Sequence, residues 1–448
     1  MTDLSMYAAT PSTSGSDLGV ERDRLLEAFA ETRACTESLA APLSAEDQQL
    51  QSMPDASPTK WHRGHTTWFF EAFVLEPAGI DAVDSRYAFI FNSYYESVGP
   101  RHPRAQRGLL SRPSAAQVSD YRRRVDDAVS RLLSTAGGEQ LAQVLPTVQL
   151  GIAHEEQHQE LLLTDILHAF SQNPLRPAYT GAPASAFARP EAPPSARASA
   201  PDPLAFVTFP GGLREIGAPA RGFAFDNERP RHRRWVEPFA LGDRLVCVRE
   251  LKAFIDAGGY RAPSLWLSEG FDMVRARGLT SPLHSSYEDG SLNVFTLAGA
   301  RVAHDDEPVV HVSNYEADAI ARFLGARLPT EVEWETVAEG EALRGNFSGG
   351  SLRPQPASSA PGGASGVRQL FGDAWEWTQS GYEAYPGYEV TRGALGEYNG
   401  KFMVSQMVLR GGSCFTPRGH VRASYRNFWH PPTQFQMTGI RLARGVPA

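Results

Sequence analysis

The chain has 448 residues, 42% of them hydrophobic and 21% charged, and a net charge of −8. This length holds two or three domains, the composition is that of a soluble globular protein, and the negative balance argues against a broad nucleic-acid-binding surface. No apolar run reaches the roughly 18 residues of a membrane span, and Cys35, Cys247 and Cys414 form no CxxC pair, which fits a reducing cytoplasm and excludes a disulfide framework or a cysteine zinc site.

Met1 to Gly19 is Ser/Thr-rich and lacks a charged region followed by an apolar core, so it reads as a disordered tail and not a secretory signal. Val20 to Leu43 has helical spacing, with Leu25, Leu26, Phe29, Ala30 and Thr32 on or near one face. A second helix is predicted after Ser57 as N-cap and Pro58 at the first position. Its inward stripe is Trp61, His65, Trp68, Phe69 and Ala72, with His62 beside it. The stretch from Phe89 to Pro113 is punctuated by Pro and Gly and reads as a loop. It carries the pair Tyr94-Tyr95 and the arginines Arg101, Arg104, Arg107 and Arg112. Ala115 to Leu133 forms a further helix after Ser114, and Leu141 to Phe170 another. The last carries His154 and His158, four residues apart, so both imidazoles leave the same side. That side continues through Leu161, Leu162 and Asp165.

Two imidazoles one turn apart can grip a transition-metal ion, or they can be hydrogen-bonded core residues. A third inward histidine on a facing helix, His65, favours metal, because facing helices of bundles build metal sites this way. Residues 20–173 are therefore expected to form a four-helix, metal-binding bundle with long crossovers. Residues 174–203 are rich in Ala, Pro and Ser and read as a linker. From 204 to 448 short apolar runs alternate with glycine, as in Phe206–Phe209, Arg214–Gly217 and Arg234–Leu241. With helices expected at Val248–Ala257 and Ser313–Leu324, this is a loop-rich α+β domain. No repeat, nucleotide-binding glycine loop or Ser/His/Asp arrangement stands out.

The second domain carries Phe225-Asp226-Asn227-Glu228-Arg229-Pro230, Arg327-Leu328-Pro329-Thr330-Glu331-Val332-Glu333-Trp334-Glu335, Phe371-Gly372-Asp373-Ala374-Trp375-Glu376-Trp377-Thr378, Arg410-Gly411-Gly412-Ser413 and Gly439-Ile440-Arg441-Leu442. This text resembles the formylglycine-generating-enzyme/sulfatase-modifying-factor domain, a C-type-lectin-like fold. The cysteine pair of those enzymes is not matched; Cys414 stands alone, which argues against formylglycine generation. The first domain resembles a DinB-like bundle. Joined in this order, with Trp61-His62-Arg63-Gly64-His65 and His154-x3-His158-x-Glu160, the two resemble the ergothioneine-biosynthesis sulfoxide synthases and the related selenoneine synthases. The fold expected is thus α+β and multidomain.

The resemblance implies a cytoplasmic Fe(II)- and O2-dependent oxidoreductase acting at C2 of the hercynine (Nα-trimethylhistidine) imidazole. Its other substrate would be a thiol or a 1-selenosugar donor, with no nucleic-acid or membrane partner. By position the iron ligands fall on His65, His154 and His158; a second arrangement would use Glu160 in a two-His-one-carboxylate set. Tyr94 and Tyr95 fall where a proton donor is needed. Gln157 and Asn427 would hold hercynine; Phe428 and Trp429 are candidates to face its trimethylammonium group, or else are packing residues. Arg101 and Arg104 are placed to bind a carboxylate, as are Arg107 and Arg112. Gln434 stands where many sulfoxide synthases carry arginine, and a neutral amide suits a sugar-like donor, so sulfur and selenium donors both stay open. Two other readings remain: a DinB-type thiol transferase using another metal without O2, and a lectin-like binding protein with a vestigial bundle.

Overall fold

The apolar spacing of the first segment produces helix α1, Gly15–Ala40. It buries Leu25, Phe29, Thr32, Arg33, Thr36 and Ala40 along one stripe, while Ala30 is exposed on the opposite side. The computed structural model describes residues 15–179, 203–360, 362–390, 394–397 and 399–446. Residues 1–14 of the expected tail and 180–202 of the expected linker lie outside them; residues 15–19 belong to α1. The chain divides into two units, Met1–Gln172 with Glu389–Lys401, and Asn173–Tyr388 with Phe402–Ala448. By its contacts the run 389–401 groups with the helical unit.

In the first unit α1 packs with α2 (Thr59–Phe70), α4 (Ala115–Thr135) and α5 (Gly138–Gln172), and a short α3 (Tyr87–Phe91) lies in the long α2–α4 connection. That connection, read as loop from the sequence, also holds a 3-10 turn at Arg104–Leu109. Ser57 does not cap α2. Pro58 occupies the N-cap position, and the Ser57 N–H instead donates to Asp165 Oδ2 at 2.7 Å. Ser114 does cap α4, in a reciprocal capping box with Gln117. All twelve residues of α2 are buried. Trp68, Phe69 and Phe70 each contribute about 2–3 kcal/mol by burial, and the polar residues between them must find partners inside. The Lys60 ammonium takes the carbonyls of Leu110 and Pro113, and Trp61 Nε1 takes that of Ile90. Arg63 takes Glu37 and Gln48. Glycine permits the close approaches: a Cβ on Gly64 would lie 2.2 Å from the Phe91 ring, and one on Gly151 of α5 would lie 2.6 Å from Phe70.

The second unit holds a four-stranded sheet in the order β12-β11-β10-β13 (Asn427–Trp429, Met407–Arg410, Trp375–Gly381, Thr438–Gly439) and a three-stranded sheet β1-β4-β14 (Phe206–Phe209, Phe239–Gly242, Ala443–Gly445). The run 234–241 is split at Pro238 into β3 (His232–Val236) and β4, since proline cannot donate to a ladder. The expected helices appear as α6 (Val248–Asp256) and α8 (Asn314–Phe323), the latter capped by Ser313. Two more, α7 (Ser268–Arg277) and α9 (Glu331–Ala338), were not anticipated. The motif text of this domain is largely its buried frame. Arg441 grips Glu376 with two 2.7 Å bonds, Trp334 Nε1 donates to the same carboxylate at 2.7 Å, and Arg410 pairs with Glu335 at 2.7 Å. No helix among the described residues is long and apolar enough to cross a membrane.

Candidate metal centre

The expected triad meets inside the first unit. One ligand atom from each of His65, His154 and His158 lies within 4.8 Å of the others, and Glu160 is outside the group. The ring centroids are 4.9, 4.7 and 4.6 Å apart. His65 is stacked between Trp61 (4.6 Å) and Trp68 (5.8 Å), and Phe69 lies 4.6 Å from His154. In this apolar surround the charged imidazolium is disfavoured. Burial, reinforced by the neighbouring histidines, holds His65 and His158 well below their ordinary range, and burial pushes His154 down to about 3. All three are therefore neutral near pH 7, the form that ligates a metal.

Hydrogen bonds set where the protons sit. His65 Nδ1 lies 2.6 Å from the Phe91 carbonyl, which can only accept, so Nδ1 carries the proton and Nε2 a lone pair. That Nε2 faces His154 Nε2 at 3.2 Å. Two nitrogens each about 2.1 Å from one ion and at right angles to each other would be about 3 Å apart, so the spacing fits neighbouring positions on one octahedral ion. His158 Nδ1 lies 2.8 Å from His62 Nδ1, and His62 Nε2 lies 3.0 Å from Asp165 Oδ2. The carboxylate accepts from His62, which leaves His62 Nδ1 to accept from His158 and directs the His158 lone pair away from it. Neutral imidazoles, two of them with back-side acceptors, make a donor set suited to a first-row transition ion.

A buried ion network fixes the metal helix. Glu155, next to His154, accepts from Arg33 of α1 at 2.7 Å, from Arg122 of α4 at 2.9 Å and from Thr36 at 2.6 Å. Burial alone would raise the Glu155 pKa, but the two guanidiniums outweigh it and hold the carboxyl at about 2. Nothing in the sequence distinguishes Glu155 from Glu156, so this residue was missed.

Tyr95 is fully buried, 5.8 Å from Trp68 and 5.1 Å from Phe73; Tyr94, half-buried, packs against it with the rings tilted and their centroids 4.7 Å apart. The tyrosine loop is held by the 389–401 segment of the same unit. Glu397 accepts from the N–H groups of Glu96 and Ser97, each at 2.9 Å, and Lys401 donates to the Tyr94 carbonyl at 2.6 Å. Of the four loop arginines, Arg101 pairs with Glu96 and Arg104 with the Asp55 carbonyl near the surface, and Arg112 bonds the Ser111 carbonyl. Arg107 is the buried one: its guanidinium lies 3.4 Å over the Trp61 ring and bonds Ser57 Oγ at 2.9 Å. Burial, aided by Arg104, pulls its pKa down to about 8. Gln157 is half-buried on α5.

The other expected residues belong to the second unit. Asn427, Phe428 and Trp429 form edge strand β12 and are half-buried, with Phe428 stacked on Tyr382 at 3.9 Å. Gln434 is buried and engaged at both ends, donating to Glu316 at 2.7 Å and accepting from Arg277 at 3.3 Å. Its amide is thus already committed within that unit.

Family models match both parts of the chain. Residues 28–162 match the DinB superfamily model, and residues 190–446 match the sulfatase-modifying factor enzyme 1-like domain. The chain is 34% identical to the hercynine oxygenase of Mycolicibacterium thermoresistibile, over 90% of this chain and 91% of that one. It is 33% identical to that of Mycobacterium tuberculosis, over 89% and 94%, and 30% identical to that of Mycolicibacterium smegmatis, over 95% and 100%.

Proposed function

The chain belongs to the hercynine oxygenase family, and from that premise we propose that it is a non-haem Fe(II)- and O2-dependent enzyme forming a C–S or C–Se bond at the imidazole C2 of hercynine. The observation that carries the reading is the convergence of three neutral imidazoles, His65 and His154 buried and His158 half-buried, whose partners turn lone pairs inward at His65 and His158. Bound there by His65, His154 and His158, Fe(II) would supply O2 activation and open positions for the hercynine imidazole and the donor chalcogen.

The chain's own residues would do the rest. Trp61, Trp68 and Phe69 keep water from the histidine cluster. Tyr94 delivers a proton to the reduced oxygen, with Tyr95 as its neighbour. Gln157 and Asn427 orient hercynine, and Phe428 and Trp429 face its trimethylammonium group. Arg101 and Arg104 bind a donor carboxylate; their present partners are surface groups that exchange at little cost. The donor is cysteine-type sulfur or a 1-selenosugar. Gln434 puts a neutral amide where many sulfoxide synthases carry arginine, which suits a sugar-like donor.

The test is anaerobically Fe(II)-loaded enzyme given hercynine and O2 with cysteine, gamma-glutamylcysteine or 1-seleno-N-acetylglucosamine in parallel, scored by mass spectrometry. A sulfoxide adduct from cysteine or a selenium adduct from the sugar is expected, and identifies the donor. The absence of any adduct would contradict the reading.

A further inference from the structure

We propose that His62 and Asp165 are positioning residues that act through His158: Asp165 fixes the His62 tautomer, and His62 holds the Nδ1–H of His158 so that its Nε2 points into the histidine cluster. The proposal rests on the metal reading of that cluster. The geometry runs in one line. Asp165 Oδ2 accepts from the Ser57 N–H at 2.7 Å and from His62 Nε2 at 3.0 Å, and His62 Nδ1 then meets His158 Nδ1 at 2.8 Å. Ser57 in turn accepts at Oγ from Arg107 at 2.9 Å.

His62 and Asp165 are 3% and 6% exposed. Asp165 Oδ1 has no hydrogen-bond partner among the described residues, so the charge is only partly offset by donors. A buried, under-satisfied carboxylate is a poor stabiliser; apolar side chains of similar volume would do as well or better. Its arrangement is explained by what it does to His158. A ligand imidazole whose far N–H donates to a group backed by a carboxylate is held in one orientation and is the more basic donor. His65 lacks this backing, since its Nδ1 donates to a neutral carbonyl. His65 and His158 are therefore unequal, and His158 is the stronger donor of the two. The relay joins α2 to α5, the two helices that carry the triad.

The experiment uses the full chain as wild type, Asp165→Asn, His62→Gln and the double variant. Fe(II) affinity is read by anaerobic competition with a chromophoric chelator, and the Fe(III)/Fe(II) potential by mediated titration. Asp165→Asn keeps an acceptor for the Ser57 N–H and removes only the charge. Each single variant is expected to bind Fe(II) about 10- to 100-fold more weakly. The double variant should be no weaker than His62→Gln alone, because Asp165 acts only through His62. The potential should rise in Asp165→Asn, because a negative charge has left the back of a ligand; a merely structural role would not move it. Affinity of Asp165→Asn within about twofold of wild type, losses that add in the double variant, or an unchanged potential would each overturn the relay while leaving the metal reading intact. A wild type that binds no Fe(II) would overturn the metal reading and the relay with it.

Discussion

Replacing Glu155 by Gln removes one negative charge from between two buried arginines and leaves the shape of the side chain. The carboxyl sits at about 2, against an ordinary 4.5. At about 1.4 kcal/mol per pKa unit, that displacement corresponds to about 3–3.5 kcal/mol of stability at neutral pH. The figure agrees with the 3–5 kcal/mol typical of breaking a buried ion pair. For a domain of this size the helical unit should melt ~6–12 °C lower, read by circular dichroism at neutral pH. The acid profile supplies a second test. Because the folded pKa lies below the unfolded one, the contribution is complete above about pH 4.5 and is lost as pH falls toward about 2. Wild type should show this loss, and Glu155→Gln should lack that component. A variant melting within about 2 °C of wild type, or an identical acid profile, would refute the role given to Glu155.

Gly64→Ala places a methyl group 2.2 Å from the Phe91 ring, so the ring, on the residue whose carbonyl holds His65, must shift; overpacking of about 1–3 kcal/mol and weaker Fe(II) binding should appear together in melting and metal titrations. Glu397→Ala removes the acceptor for the Glu96 and Ser97 N–H groups; faster amide exchange at residues 94–97 and slower turnover should follow, with Fe(II) affinity unchanged. Tyr94→Phe should lower turnover by about 10²- to 10⁴-fold at unchanged Fe(II) affinity, and a similar loss in Tyr95→Phe alone would move the proton donor to Tyr95.

How much of this was legible in the sequence depends on the range of the interaction. His154 and His158 were readable because one helical turn separates them, and His65 because it sits on an apolar stripe. The relay was half visible: Asp165 falls two turns after His158 on the same side, and His62 lies beside the stripe, but which helices face each other is a tertiary fact. The Glu155 network joins residues 33, 122 and 155, and no local pattern announces a pairing across such separations. The clasp by Glu397 and Lys401 was hidden for the same reason, in a stretch of ordinary composition. Four arginines crowd one loop, and only packing on Trp61 singles out Arg107. In the second unit, α9, which begins in the Arg327–Glu335 motif and runs on to Ala338, lay unread because its eight residues are too few to show a helical period.

Oxygen uptake by the Fe(II)-loaded chain tests the metal-centred reading most directly. Uptake is predicted only when hercynine and a chalcogen donor are both present, and should vanish in His154→Ala. Product formation in the strict absence of O2, or undiminished uptake by His154→Ala, would contradict it.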